Sequence, residues 1–202
     1  NSMQKNIKAV VVKPTSNLNS KLPTLYLLHG FSGKYNDYIQ RVAQLQELVD
    51  RYQILVVCPD GGHSSWYWDI DGDKDFQYET FVSNELVNYI SANYPANEES
   101  RYRAITGFSM GGHGALYLAL RHQDVYGAVG SIAGGVDIRP FPNNWDMEKR
   151  LGSYAETSAS WQSHTVMEML NLAGGQPLPI YIDCGRDDFF YEVNLRLHER
   201  MK

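Results

Sequence analysis

Cysteine is scarce: Cys58 and Cys184 are the only two in 202 residues. Two cysteines build no disulfide framework, and nothing beside either has metal-ligand spacing. Both close apolar runs, so both are expected as buried free thiols. Their small number leaves the redox compartment open. Long apolar runs are missing too. None approaches the roughly 20 residues that span a bilayer, and no basic, apolar leader opens the chain, which reads as soluble. Positive charge is in deficit, with 18 Lys and Arg against 23 Asp and Glu and a net charge of −5. Such a balance is poorly matched to a nucleic-acid backbone or an anionic membrane surface. Small neutral or cationic ligands are left as partners. There is no internal repeat and no low-complexity tract. What is present is 43% hydrophobic and 12% aromatic, enough for one substantial core, and residues 1–202 read as a single domain.

Short apolar runs alternate with helical patterns. Strands are expected at Lys8 to Lys13, Thr24 to Leu28, Gln53 to Cys58, Tyr102 to Thr106, Tyr126 to Ile132 and Leu178 to Asp183. Helices are expected at Asp37 to Arg51, with Asp37 as cap, and at Thr80 to Tyr94, Met110 to Arg121 and Tyr191 to Met201. Strands that are apolar throughout belong to a sheet covered on both faces, so the expected fold is α/β, a doubly wound and largely parallel sheet flanked by helices. Ligands of such sheets bind beyond the carboxyl ends of the strands. The loops after Leu28, Cys58, Thr106, Ile132 and Asp183 all leave that edge.

Gly107-Phe108-Ser109-Met110-Gly111 fits G-x-S-x-G between a strand and a helix. The glycines permit a sharp turn that lifts the serine hydroxyl to the sheet edge, and the helix N-terminus adds donors and positive partial charge. This makes Ser109 the candidate nucleophile. An acyl-transfer serine needs donors for the developing oxyanion, and the N–H groups of Met110 and of Phe31, in the His29-Gly30-Phe31 loop, are the candidates. His29 reads as shaping that loop, and His29 and Gly30 are expected to line the substrate site. After Asp183 the chain offers Asp187 and Asp188; Asp188 is the expected acid of a triad and Asp187 the reserve, one of the two serving as a helix cap. No histidine fits the base. His198 falls mid-helix, and His29, His63, His113, His122 and His164 all precede the acid. Trp66, Tyr67 and Trp68 stand together in a glycine-rich loop and read either as a substrate wall, with Trp66 and Trp68 in contact, or as core. Asp69, Asp71, Asp73 and Asp75 space like a calcium loop but lack its sixth-position glycine and twelfth-position glutamate, so an acidic loop with a helix cap is expected and no metal. No cofactor is implied. Pro140 to Gly175 is mixed in pattern and reads as a partial lid or a packing insertion.

Five segments in order, Tyr26 to Gly33, Pro59-Asp60-Gly61 with Ser65 to Asp69, Tyr78 to Phe81 with Glu85-Leu86, Gly107 to Ala115 and Asp183 to Phe189, resemble the putative-esterase (esterase D-like) family of α/β-hydrolases. The chain is similar to its small bacterial tributyrin, feruloyl and acetyl-xylan esterases. The resemblance implies an α/β-hydrolase fold and a serine carboxylesterase acting on short acyl or aryl esters or acylated saccharides. It implies Asp188, in a G-x-x-D turn, as the acid. It implies a catalytic histidine after one further strand, in a segment this chain does not contain, so terminal strands and the base are expected beyond Lys202, with residues missing ahead of Ser2 as well. Export is implied if a signal peptide has been removed, and a cytoplasmic protein otherwise. A thioesterase or acyltransferase of the same family, and a catalytically incomplete ligand-binding fold, are the alternatives. Neither the ester nor the oligomeric state is encoded by spacing.

Overall fold

The structure, a computed structural model, describes residues 2–16, 20–174 and 177–202. Six strands form one sheet: β1 (Ala9–Val12), β2 (Thr24–Leu28), β3 (Leu55–Pro59), β4 (Arg103–Phe108), β5 (Ala128–Ile132) and β6 (Ile180–Asp183). Their order is β1-β3-β2-β4-β5-β6. Only β1 pairs antiparallel, and every other neighbouring pair is parallel. The apolar character of β3 is explained at once, because all five of its residues are buried between two layers.

On one face lies α5 (Met110–Arg121), with every residue from Met110 to Leu120 buried. It approaches β2 so closely that a Cβ on Gly111 would sit 2.1 Å from the Leu28 carbonyl oxygen, and one on Gly107 2.4 Å from the Gly111 backbone. The glycines of the turn are therefore required by packing. The second helical stretch starts at α3 (Tyr78–Thr80), widens into one π-helical segment (Phe81–Glu85) and continues as α4 (Leu86–Asn93). On the opposite face the single helix expected over Asp37–Arg51 is two, α1 (Asp37–Arg41) and α2 (Leu45–Tyr52). Val42 leaves helical backbone, and α2 then lays Leu45 and Val49 on Val56 and Cys58. Asp37 does not cap α1: its carboxylate accepts the Lys34 N–H instead, at 3.1 Å.

The tract after β5 is largely a packing insertion. In α6 (Met147–Leu151), α7 (Ser158–Ser163) and a 3-10 run (Val166–Gly174), the side chains of Met147, Leu151, Trp161, Val166 and Met167 join the main core. The last helix, α8 (Tyr191–Arg200), returns Val193 and Leu197 to that core. Cys58 is buried as expected, and burial pushes its thiol up to about 12. Cys184 is only half-buried, because it lies in the loop that leaves β6. No helix among the described residues is long and apolar enough to cross a membrane.

Candidate active site

Strand register sets the site. Phe108 pairs with Ile132, and Ile132 with Asp183, so β4, β5 and β6 end in one row. The residues that follow, Ser109, Ala133 and Cys184, open three loops along one edge. Ser109 has φ 57° and ψ −116°, a conformation that costs a non-glycine residue about 1–3 kcal/mol and persists only where its surroundings enforce it. Here the enforcement is visible. The Ser109 N–H donates to the Ile132 carbonyl at 2.9 Å, and its carbonyl accepts the His113 N–H at 3.0 Å, which ties the strained residue to β5 and to α5.

The loop after β2 runs against this turn. A Cβ on Gly30 would lie 3.4 Å from the Ser109 Cβ and 3.3 Å from the Phe108 carbonyl oxygen. The loop is anchored through its own carbonyls: Tyr38 donates to Leu28, Tyr67 to His29, and Gly33 N–H to Gly30. His29 is pinned from both ring nitrogens, Nδ1 on the Gly30 carbonyl and Nε2 accepting the Gly61 N–H, each at 2.8 Å. Among the described residues the N–H groups of Phe31 and Met110 have no backbone acceptor. One lies in the loop after β2 and the other directly after Ser109.

Asp188 is half-buried in the loop after β6. Its Oδ1 accepts the Phe190 N–H at 2.8 Å and its N–H donates to Gly185. Phe190 is 1% exposed and packs on Phe141 and Trp145, so the turn bearing Asp188 is wedged into the core. Asp187 is exposed. The β4 and β6 edges stand two strand spacings apart, about 10 Å, a gap that an imidazole between the serine and the acid would bridge.

None of the six histidines is placed for that role. His29 is 2% exposed and fully engaged, which removes it from the substrate contacts expected of it. His113 is buried, donates to the Gly135 carbonyl and accepts the Trp68 indole N–H at 2.9 Å; burial pushes its pKa down to about 3. His164 bonds Ser160 and stacks on Tyr117. His122 ends α5 and pairs with Glu79 at 2.7 Å, beside Arg121. His198 is on the exposed side of α8. His63 is exposed at the rim, edge-on to Phe31 with ring centres 4.6 Å apart.

The tryptophans of the rim loop do not form a wall. Trp66 and Trp68 are 1% and 0% exposed and stacked on each other inside the molecule. Positive φ at Trp66 and Tyr67 (53° and 63°) turns the segment inward, and Gly114 leaves room for Tyr67, whose Cδ2 lies 2.3 Å from where a Cβ would be. The half-buried and exposed aromatics at this edge are different ones. Trp145 stacks on Phe189 next to Asp188, and Phe108 is half exposed beside Ser109. The sequence hid them: neither Asn143-Asn144-Trp145 nor Asp188-Phe189-Phe190 has a pattern that separates a surface ring from a core ring. The acidic loop is spent on turns, with Asp69 accepting both the Thr80 N–H and hydroxyl and Asp73 the Asp75 N–H. Among the described residues no group of three His, Cys, Asp or Glu is arranged to hold a metal ion. A cleft of about 1100 Å³ lies at the other end of α5, lined by Glu79, Arg121 and His122, and does not include Ser109.

Residues 1–199 match the model of a family described as Putative esterase. An acetyl esterase of Caldicellulosiruptor saccharolyticus is 29% identical, with 91% of this chain and 73% of that protein aligned. Among solved structures, the fluorophosphonate-binding serine hydrolase FphF of Staphylococcus aureus superposes with a TM-score of 0.82 at 22% identity, covering 96% of this chain and 78% of that one. The S-formylglutathione hydrolase FrmB of the same organism gives 0.81 at 21%, covering 96% and 80%. These two likenesses identify the α/β-hydrolase fold.

Proposed function

The chain belongs to the Putative esterase family, and on that premise we propose that it is a serine carboxylesterase that cleaves short-chain acyl or aryl esters through an acyl-enzyme at Ser109. The observation that carries this reading is the strained Ser109 backbone beside two N–H groups, of Phe31 and Met110, without backbone acceptors. In the reaction, the Ser109 hydroxyl attacks the ester carbonyl. The two N–H groups receive the oxygen that becomes negative, each contributing on the order of 3 kcal/mol to lowering the barrier. The serine proton passes to an imidazole held by Asp188 and then to the departing alcohol, and water repeats the sequence to release the acid. The reading requires an imidazole beside Asp188, a role that none of the six histidines of these 202 residues fills. Gly30 and the rings of Phe31, Trp145 and Phe189 border the substrate. The name of the acetyl-esterase relative favours a small acyl group.

The test is active-site titration of the protein expressed at its natural length. With an activated aryl acetate we expect a burst of about one aryl alcohol per chain. A fluorophosphonate should label Ser109, and both signals should vanish in Ser109→Ala. Labelling of any other residue, or turnover that survives the substitution, refutes the reading.

A further inference from the structure

A cavity of about 580 Å³ opens on the catalytic edge at the other side of the oxyanion loop, between the segment leading into β1, residues 34–36 and Asp60 at the end of β3. Its chemistry runs against the acidic whole. Lys5, Lys8 and Lys34 line it, with Asp60 as its one carboxylate. Lys5 is engaged, donating to the Asp75 carbonyl and lying over the Tyr78 ring. Asp60 is engaged as well: it accepts the Gly62 N–H at 2.8 Å and faces His29 at 3.8 Å. Lys8 and Lys34 are exposed, and among the described residues neither has a carboxylate within ion-pairing distance; the Lys8 ammonium lies over the Tyr35 ring. Asn6 and Asn36 bring amides to the same cavity, and the Asn36 Oδ1 is shielded from solvent without a hydrogen-bond partner.

Position gives this cluster its meaning. Ala9 pairs with Pro59, so Lys8 sits at the edge where Ser109 sits, and the order β1-β3-β2-β4 separates the two by three strand spacings, about 14 Å. That is a two-ring distance for a sugar. We propose that this cavity is a leaving-group subsite for an acidic saccharide: a uronate whose carboxylate meets Lys8 and Lys34, while the neighbouring acylated sugar presents its ester to Ser109. The proposal rests on the hydrolase reading for its catalytic consequence, though not for binding. The ammonium groups attract the carboxylate, the exposed Asn6 amide suits a sugar hydroxyl, and a neutral acetate ester of a short alcohol does not reach the subsite.

The test compares acetylated disaccharides that differ only in whether the distal ring is glucuronate or glucose. At low ionic strength the uronate ester is expected to be preferred about tenfold in kcat/KM, the effect of two partly screened ion pairs, and the preference should shrink as salt shortens the screening length. In the Lys8→Gln/Lys34→Gln protein the ratio should fall to about one. Equal turnover of both esters by the unmodified protein overturns the subsite. If no ester, including a neutral aryl acetate, is turned over, the hydrolase reading has failed and binding alone decides. D-glucuronate titrated into the Ser109→Ala protein should then shift the amide signals of Asn6, Lys34 and Asn36 saturably, and not in the double lysine variant. Absence of those shifts overturns the proposal. Shifts with glutathione but none with glucuronate overturn the sugar assignment and give the site to a peptidic carboxylate.

Discussion

Replacing Gly30 by alanine tests whether the loop after β2 acts on the reacting oxygen. The added methyl would sit 3.3 Å from the Phe108 ring and carbonyl oxygen and 3.4 Å from the Ser109 Cβ. These contacts are tight without being impossible, and Gly30 does not have positive φ, so the loop should yield by a few tenths of an ångström and leave the fold intact. That shift carries the neighbouring Phe31 N–H away from the oxyanion position, where donors work at about 2.7–3.1 Å. Losing part of one donor, about 1.4–2.7 kcal/mol of barrier, predicts a fall of ten- to a hundredfold in kcat. KM should stay within about twofold, because the interaction is strongest in the transition state. Gly185→Ala is the matched control: nothing lies within 4 Å of its Cβ position, and it lies at the same sheet edge. Steady-state kinetics on an aryl acetate, with thermal unfolding of both variants, gives the answer. Unchanged kcat in folded Gly30→Ala, or a kcat loss matched by a large drop in Tm, would refute the argument that this loop is a catalytic donor.

Three further outcomes follow from the same geometry. Ser109→Gly should abolish the burst while raising Tm by about 2–8 °C, since glycine relieves about 1–2 kcal/mol of strain at φ 57°; differential scanning calorimetry checks it, and an unchanged or lower Tm contradicts the strain. Trp68→Phe leaves the buried Nε2 of His113 without its donor, so a loss of about 1–3 kcal/mol in urea unfolding is expected, against near neutrality if the indole hydrogen bond were incidental. Because burial lowers the His113 pKa from 6.5 to about 3, its contribution to stability is complete above pH 6.5 and is lost as pH falls toward 3, up to about 1.4 kcal/mol per pH unit. Urea unfolding across that window should show a shallower acid slope in His113→Gln, and an unchanged slope would show that His113 is not the source.

The elements were largely legible because they rest on local chemistry. Five of the six expected strands are parallel members of the sheet, and β1 pairs antiparallel, which the run Ala9–Val12 by itself did not indicate. The run Met110–Arg121 is helical as expected, but its burial on all sides reflects the β2 and β5 strands beneath it more than its own periodicity. The break at Val42 was not legible, since Ile39, Val42 and Leu45 continue a helical spacing across it.

By itself the sequence determined the turn at Ser109, because two glycines, a strand and a helix N-terminus act within a few bonds of one another. It equally determined the acidic turn after β6, from Gly185 to Asp188. The tertiary structure alone decided which aromatic and imidazole rings are inside. Trp66 and Trp68 are drawn into the core by left-handed backbone and by the space over Gly114, while Trp145 and Phe189 are left at the rim. Burial is a property of what the distant parts of the chain place around a ring, and no spacing within a ten-residue window contains it.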